Sequence, residues 1–258
     1  MTALPRAPEV AVSAHQGGSE SAPGGTFEAY RSSVETGAEY VEFDIRRTAD
    51  GEFVVYHDDH VTSDHASHAG KGRTPVGQLT RPRLNELAGY PVPLVGEVME
   101  LIAGNAVGHL DLKDVGGELE VISLALDILG SDGFVATTLE DVSVARIKRH
   151  FPRVRTALSL GRDLTGVSPV RWIRTRCGEL FPLRRIRDCG ADWVAVHHRL
   201  ATATVLATCA RHAIGAMVWT VNDEASIDRF LSDRRVSVLI TDRPGFTVRR
   251  RTALAGAG

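Results

Sequence analysis

The sequence predicts a (β/α)8 barrel with a small hairpin and loop insertion after the second strand. Three observations carry that expectation. Short β-rich runs alternate with helically periodic stretches along the whole chain, which implies parallel strands joined by crossover helices. There are nine strand candidates, and two of them are separated by the hairpin signal Asp50-Gly51, which leaves eight βα units. The length of 258 residues matches a single such barrel. A doubly wound parallel sheet is the alternative arrangement of the same alternation.

The strand candidates are residues 10–13, 40–45, 53–57, 108–112, 134–137, 154–160, 193–197, 217–221 and 236–241. Helical periodicity covers 26–36, 94–102, 119–129, 139–150, 201–212 and 224–231. The stretch 139–150 has a candidate cap in Thr138 and a stop in Pro152. Residues 58–73 are polar and rich in Asp and His, and read as an exposed inserted loop. In that loop His60, His65 and His68 are residue types that bind transition metals, but solvent-exposed polar loop residues are the plainer reading. The end of the chain, from about residue 249 with its run Arg249-Arg250-Arg251, reads as a flexible tail. One domain, 1–258, is expected.

Composition limits the function. The chain is 43% hydrophobic and 24% charged with a formal net charge of −2, an ordinary globular profile with no bias towards nucleic acid. No window is long and apolar enough for membrane insertion, and MTALPRAPEV has no signal-peptide core, so a cytoplasmic protein is expected. Cys177, Cys189 and Cys209 show no metal-binding or disulfide spacing and read as buried free thiols. The oligomeric state is left open.

Acidic and imidazole residues collect at the ends of the predicted strands, where barrel enzymes build their sites. His15 follows the first strand, Glu42 and Asp44 lie on the second, His57 and Asp58 end the hairpin, and Asp111 and Lys113 lie on the next strand. Residues i and i+2 of a strand face the same way. Because Val41, Phe43 and Ile45 alternate with the acids, the apolar face belongs against the helices and Glu42 and Asp44 point into the barrel. Three converging carboxylates, Glu42, Asp44 and Asp111, suit a hard cation, Mg2+ or Ca2+ with Mn2+ as a further choice. Lys113 beside them suits an anionic substrate. His197 and His198 end a late strand, so one of them is placed to face the barrel mouth. Trp219 serves either packing or a substrate wall; strict alternation puts it on the face opposite Asn222.

At this point the sequence resembles the glycerophosphodiester phosphodiesterase family of metal-dependent barrel enzymes. The carriers are the His-x-Gly start at His15, Gly37-Ala38-Glu39-Tyr40-Val41-Glu42-Phe43-Asp44, Thr48-Ala49-Asp50-Gly51, Val54-Val55-Tyr56-His57-Asp58, Leu110-Asp111-Leu112-Lys113, Val218-Trp219-Thr220-Val221-Asn222 and Thr241-Asp242-Arg243-Pro244. The resemblance implies a metal on Glu42, Asp44 and Asp111 and a His15/His57 acid–base pair. It further implies substrate or phosphate contacts from Lys113, Gln16, Trp219 and His197. The implied reaction cleaves a small-molecule glycerophosphodiester to glycerol 3-phosphate and an alcohol, chemistry of glycerol and lipid metabolism. A transferase releasing a cyclic phosphate and a non-catalytic phosphometabolite-binding barrel are the alternatives.

Three motifs depart from the family pattern. The usual His-Arg-Gly is His15-Gln16-Gly17, the usual Pro-Glu-Asn-Thr is Pro23-Gly24-Gly25-Thr26, and the usual third glutamate is Asp111. A neutral glutamine cannot make the charged bidentate contact of an arginine. Arg73 and Arg184 are the candidate replacement cations.

Overall fold

The computed structural model describes residues 9–62 and 73–256. Eight strands form a closed parallel barrel in the order β1 (Ala11–Ala14), β2 (Tyr40–Arg47), β6 (Val107–Leu112), β7 (Phe134–Thr138), β8 (Thr156–Leu160), β9 (Trp193–His197), β10 (Gly215–Trp219) and β11 (Val238–Thr241). Pairing of β1 with both β2 and β11 closes the cylinder. The short strand β3 (Phe53–Val55) folds back antiparallel on the end of β2, with Ile45 opposite Val55 and Arg47 opposite Phe53. Gly51, at φ +88°, makes the reversal between them. The predicted barrel and its appended hairpin are therefore both present.

Alternation along the strands sorts the side chains as the sequence implies. Val41, Phe43 and Ile45 pack outward against α1 (Phe27–Glu35), α3 (Val95–Ile102) and their neighbours, in a cluster with Tyr30, Val98, Met99 and Ile102. The other parity faces inward, where Val135, Ala157, Ala195, Met217, Val238 and Ile240 fill the lower barrel. Each large apolar side chain buried this way contributes roughly 1.5–3 kcal/mol, so the inward turn of Glu42 and Asp44 is enforced by the outward burial of their neighbours.

Several expectations change in detail. The seventh barrel strand lies two residues earlier than 217–221: β10 spans Gly215–Trp219 and the chain leaves the ladder after Trp219, with Val221 N–H donating to Ile240 O at 3.0 Å. Thr138 does not cap the following helix; α5 is Asp141–His150, and Thr138 is the last residue of β7, its hydroxyl accepting from Glu140 N–H at 3.2 Å. The ends of the inserted loop are ordered, since β4 (His60–Thr62) and β5 (Arg73–Pro75) pair antiparallel and Val61 is buried with Val54, Val76 and Leu84. His65 and His68 lie outside the described residues.

The tail also differs. Residues 249–256 continue the last helix, α11 (Pro244–Gly256), because its arginines have partners on the barrel. Arg250 meets Asp228 through two 2.6 Å contacts, and Arg251 meets Glu39 at 2.7 Å and Val10 O at 2.9 Å. Glu20 accepts from Gly245 and Phe246 N–H at the start of α11. Cys189 and Cys209 are buried as expected, whereas Cys177 is exposed on α6 (Pro169–Leu180). Among the described residues no helix is long and apolar enough to cross a membrane.

Candidate active site

The chain leaves β1 through a single 3-10 turn, His15–Gly17, which sets the direction of His15. Gln16 and Gly17 take positive φ, +50° and +77°. A Cβ on Gly17 would lie 2.8 Å from Tyr30 N, so glycine is the residue that lets the turn press against α1. His15 Nδ1 lies 2.6 Å from Asp242 Oδ1, just past β11. Asn222 Nδ2 donates to Asp242 Oδ2 at 2.5 Å, and Asp242 N–H donates back to Asn222 Oδ1 at 2.9 Å. With Nδ1 engaged, Nε2 is the nitrogen His15 presents to the cavity. Burial acts to lower the His15 pKa, but the hydrogen bond to Asp242 and the charges of Glu42, Asp242 and Asp44 outweigh it and raise it to about 9.

Register brings the acids together. Glu42 and Asp44 share the inner face of β2, and Asp44 is the direct cross-strand partner of Asp111 on β6. One oxygen from each of Glu42, Asp44 and Asp111 lies within 4.8 Å of the others. Lys113 Nζ sits among them, 2.5 Å from Asp111 Oδ2 and 2.8 Å from Asp44 Oδ1. Gln16 completes the ring: its backbone N–H donates to Glu42 Oε2 and its Nε2 to Asp44 Oδ2, both at 2.7 Å.

The charges are strained by their crowding. Burial and the Asp44 charge push the Glu42 pKa up to about 8. Burial also works to raise Asp44, but Lys113, His57 and His15 outweigh it and lower its pKa. Lys113 is moved the other way: burial acts against its charge, and Asp111, Asp44 and Glu42 outweigh that and raise its pKa. Asp44 Oδ1 is buried, and the Lys113 ammonium is its close neighbour. Three convergent carboxylate oxygens are a donor set that fits a hard divalent cation.

His57 arrives from the hairpin. Tyr56 N–H donates to Asp44 O at 3.0 Å, which extends the β2–β3 pairing and delivers the next residue to the mouth. Its ring is 56% exposed, and Nδ1 lies 2.8 Å from Asp58 Oδ1. Both histidines thus have Nδ1 on an aspartate.

A cavity of about 310 Å³ opens above these groups, lined by His15, Glu42, His57, Asp111, Lys113 and Trp219 among others. His109 forms part of its floor, between Ser13 Oγ at 3.3 Å and Thr137 Oγ1 at 2.8 Å. Burial, assisted by the His15 charge, lowers the His109 pKa to about 3, so it is a neutral polar support. Trp219 faces the cavity, and its buried Nε1 has no hydrogen-bond partner.

Some expected residues stand elsewhere. His197 is not in the cavity wall: it stacks on His198 at 4.3 Å and meets the Trp219 ring edge-on at 5.1 Å, behind the indole. Burial and the charges of His198 and Arg199 lower its pKa to about 4. Gly161, at φ +124°, makes this packing possible, since a Cβ there would fall 2.5 Å from His197 Cβ. Arg73 lies on the β4–β5 ribbon near Asp59, and Arg184 pairs with Asp188 on an outer helix. The arginine in the cavity wall is Arg162, which pairs with Glu140 at 2.7 Å. Asn222 and Asp242 are the residues whose role sequence reasoning missed. Their signals, the Asn222 end of the late strand and Thr241-Asp242-Arg243-Pro244, were present without a partner to give them meaning.

An eight-stranded barrel with imidazoles and clustered acids at its C-terminal rim has the layout of a barrel enzyme whose chemistry sits in that mouth. The glycerophosphoryl diester phosphodiesterase family profile matches residues 15–148, which span the His15 turn, the carboxylates and the hairpin. The chain belongs to that family and is a phosphoric diester hydrolase. It is 22% identical to a glycerophosphodiester phosphodiesterase of Caldanaerobacter subterraneus over 249 residues, covering 90% of this chain and 94% of that one. Its fold matches a crystal structure of a glycerophosphodiester phosphodiesterase from Parabacteroides distasonis with a TM-score of 0.74 at 18% identity, over 96% of this chain and 98% of that one. A phosphodiesterase of Oleispira antarctica, solved in complex with sn-glycerol-3-phosphate, matches with a TM-score of 0.70 at 19% identity, over 93% and 96% of the two chains.

Proposed function

We propose that this chain hydrolyses glycerophosphodiesters to glycerol 3-phosphate, or a closely related phosphomonoester, and an alcohol. Glu42, Asp44 and Asp111 hold a divalent cation in this reading, Mg2+ or Ca2+ with Mn2+ as a substitute. The observation that carries it is the pairing of two cavity-lining histidines, each oriented by an aspartate at Nδ1, around three convergent carboxylates.

A divalent cation on these oxygens supplies positive charge where negative charge builds on the phosphoryl group. The residues do the rest. His15, its Nδ1 held by Asp242, gives its Nε2 proton to the leaving oxygen. His57, at the mouth with Nδ1 on Asp58, takes the proton from the attacking glycerol hydroxyl, and water then opens the resulting cyclic phosphate to glycerol 3-phosphate. Lys113 holds Asp44 and Asp111 together and faces the cavity, placed to meet a phosphoryl oxygen. The Trp219 indole walls the cavity beside the glycerol portion. Gln16 acts on the carboxylates more than on the substrate, because its side-chain N–H is already given to Asp44.

The test is turnover of glycerophosphocholine, glycerophosphoethanolamine and glycerophosphoglycerol with Mg2+, Ca2+, Mn2+ or EDTA, for wild type and His15→Ala, followed by phosphorus NMR. Metal-dependent release of glycerol 3-phosphate that His15→Ala loses is the expected result. A cyclic phosphate that never opens replaces hydrolysis with transfer, and stoichiometric binding without product under every metal replaces it with a binding barrel.

A further inference from the structure

Beside the catalytic cavity lies a second one of about 570 Å³, and the two share Leu139, Ser159 and Arg162 in their walls. The larger cavity is therefore an annex of the site, reached past Arg162. Its walls come from the loop after β8 and from α6 (Pro169–Leu180). The loop is tied in place by Glu179, a buried carboxylate that accepts from Gly161 N–H at 2.9 Å and Arg162 N–H at 2.8 Å and pairs with Arg176 at 2.5 Å.

The charges lining this annex do not balance. Four arginines, Arg162, Arg171, Arg174 and Arg185, face two carboxylates, Glu140 and Glu179. Arg162 is taken by Glu140, Glu179 by Arg176 and the loop backbone, and Arg185 by Asp141 at 2.6 Å. Arg171 and Arg174 have no acidic partner among the described residues. They are three apart on α6, so both guanidinium groups stand on the annex side of that helix. Two unpaired guanidinium groups at the rim of a cavity are suited to bidentate contact with a phosphate or carboxylate.

The smaller cavity has room for about ten waters at some 30 Å³ each, which is the scale of one glycerol phosphate unit. The other arm of a diester must extend elsewhere, and the shared wall leads it into the annex. We propose that the arginine annex receives the alcohol arm of the substrate and selects diesters whose alcohol carries a second anionic group. This inference rests on the phosphodiesterase reading above.

A matched pair of diesters tests it: glycerophosphoglycerol, and the same molecule with a phosphate on its far hydroxyl. The expected result is at least a 10-fold higher kcat/KM for the phosphate-bearing diester, expressed mainly in KM and shrinking as salt is raised. In the Arg171→Gln/Arg174→Gln double variant, checked for folding by circular dichroism, the ratio falls to within about 2-fold of unity. Arg184→Gln, which removes an arginine outside the annex, keeps it. Equal kcat/KM for the two diesters in the wild type, or an equal loss of preference in Arg184→Gln, overturns the proposal.

Calorimetric titration of both diesters into His15→Ala protein with Mg2+ separates the two readings. Tighter binding of the phosphate-bearing diester by a protein whose wild type turns over neither leaves the annex standing and removes the hydrolytic function. Equal binding of both removes the annex whatever the turnover.

Discussion

His15 and Asp242 are 227 positions apart in the chain, yet their side chains meet at 2.6 Å across the junction where β1 pairs with β11. Asn222 holds the other oxygen of Asp242, so the His15 imidazole is oriented by a carboxylate that is itself fixed. The last turn of the barrel therefore positions the first residue of the site.

Asp242→Asn removes the charge that favours protonated His15 and keeps the side-chain shape. Turnover is expected to fall roughly 10²-fold, the scale of a lost acid–base contribution, and the His15 ring is expected to titrate well below its wild-type value. Nitrogen-15 NMR of the histidine rings follows the second effect directly. A wild-type-like titration in the variant would mean that Asp242 is only a packing residue.

The metal-free protein should lose stability as pH rises across neutrality. His15, raised from 6.5 to about 9, contributes stability that is complete below 6.5 and disappears as pH climbs through 9. Glu42, raised to about 8, acts in the same direction between its unfolded value of 4.5 and 8, because the folded chain again binds the extra proton. Divalent metal should reverse the slope, since it binds the deprotonated carboxylates. Urea unfolding at pH 6, 7.5 and 9 with EDTA or Mg2+ measures this; parallel profiles under the two conditions would count against it.

Lys113→Met strips Asp44 and Asp111 of the ammonium that stands between them. The EDTA-treated variant should be less stable than wild type by about 3–5 kcal/mol, the scale of an opened buried ion pair. Saturating Mg2+ should recover much of that, because a cation on the same oxygens replaces the missing charge. The comparison needs urea midpoints with and without metal, and equal deficits in both would show that Lys113 acts apart from the metal site.

Gly161→Ala should destabilise by roughly 1–3 kcal/mol, from backbone strain at φ +124° and the clash with His197. Because His197 backs Trp219, KM should rise as well. Thermal unfolding together with steady-state kinetics reads both, and a variant as stable as wild type would remove His197 as the support of the indole.

Much of this architecture was legible in the sequence, for physical reasons. Alternation of Val41, Phe43 and Ile45 with Glu42 and Asp44 determined which face held the acids, and Asp50-Gly51 marked the hairpin that delivers His57. Register was not legible. That Asp111 stands opposite Asp44, and that Lys113 bridges both, follows from how β2 meets β6, which no single strand encodes. Trp219 and Asn222 seemed incompatible only under unbroken alternation; β10 ends at Trp219, and Asn222 turns to Asp242. The helical run to Gly256 depended on Asp228 and Glu39, partners distant in sequence. Arg73 and Arg184 stand away from the cavity, whereas the loop after β8, held by Glu179, carries Arg162 into its wall.

In the proposed reaction Glu42, Asp44 and Asp111 form one divalent-cation site facing His15. Electron paramagnetic resonance of Mn2+ bound to wild type and to Asp44→Asn tests it most directly, with broadening of the His15 ring signals read on the same samples. The account predicts one Mn2+ per chain, strong broadening of His15, and loss of both in the variant. Unchanged Mn2+ affinity in Asp44→Asn, or tight binding that leaves His15 sharp, would contradict it.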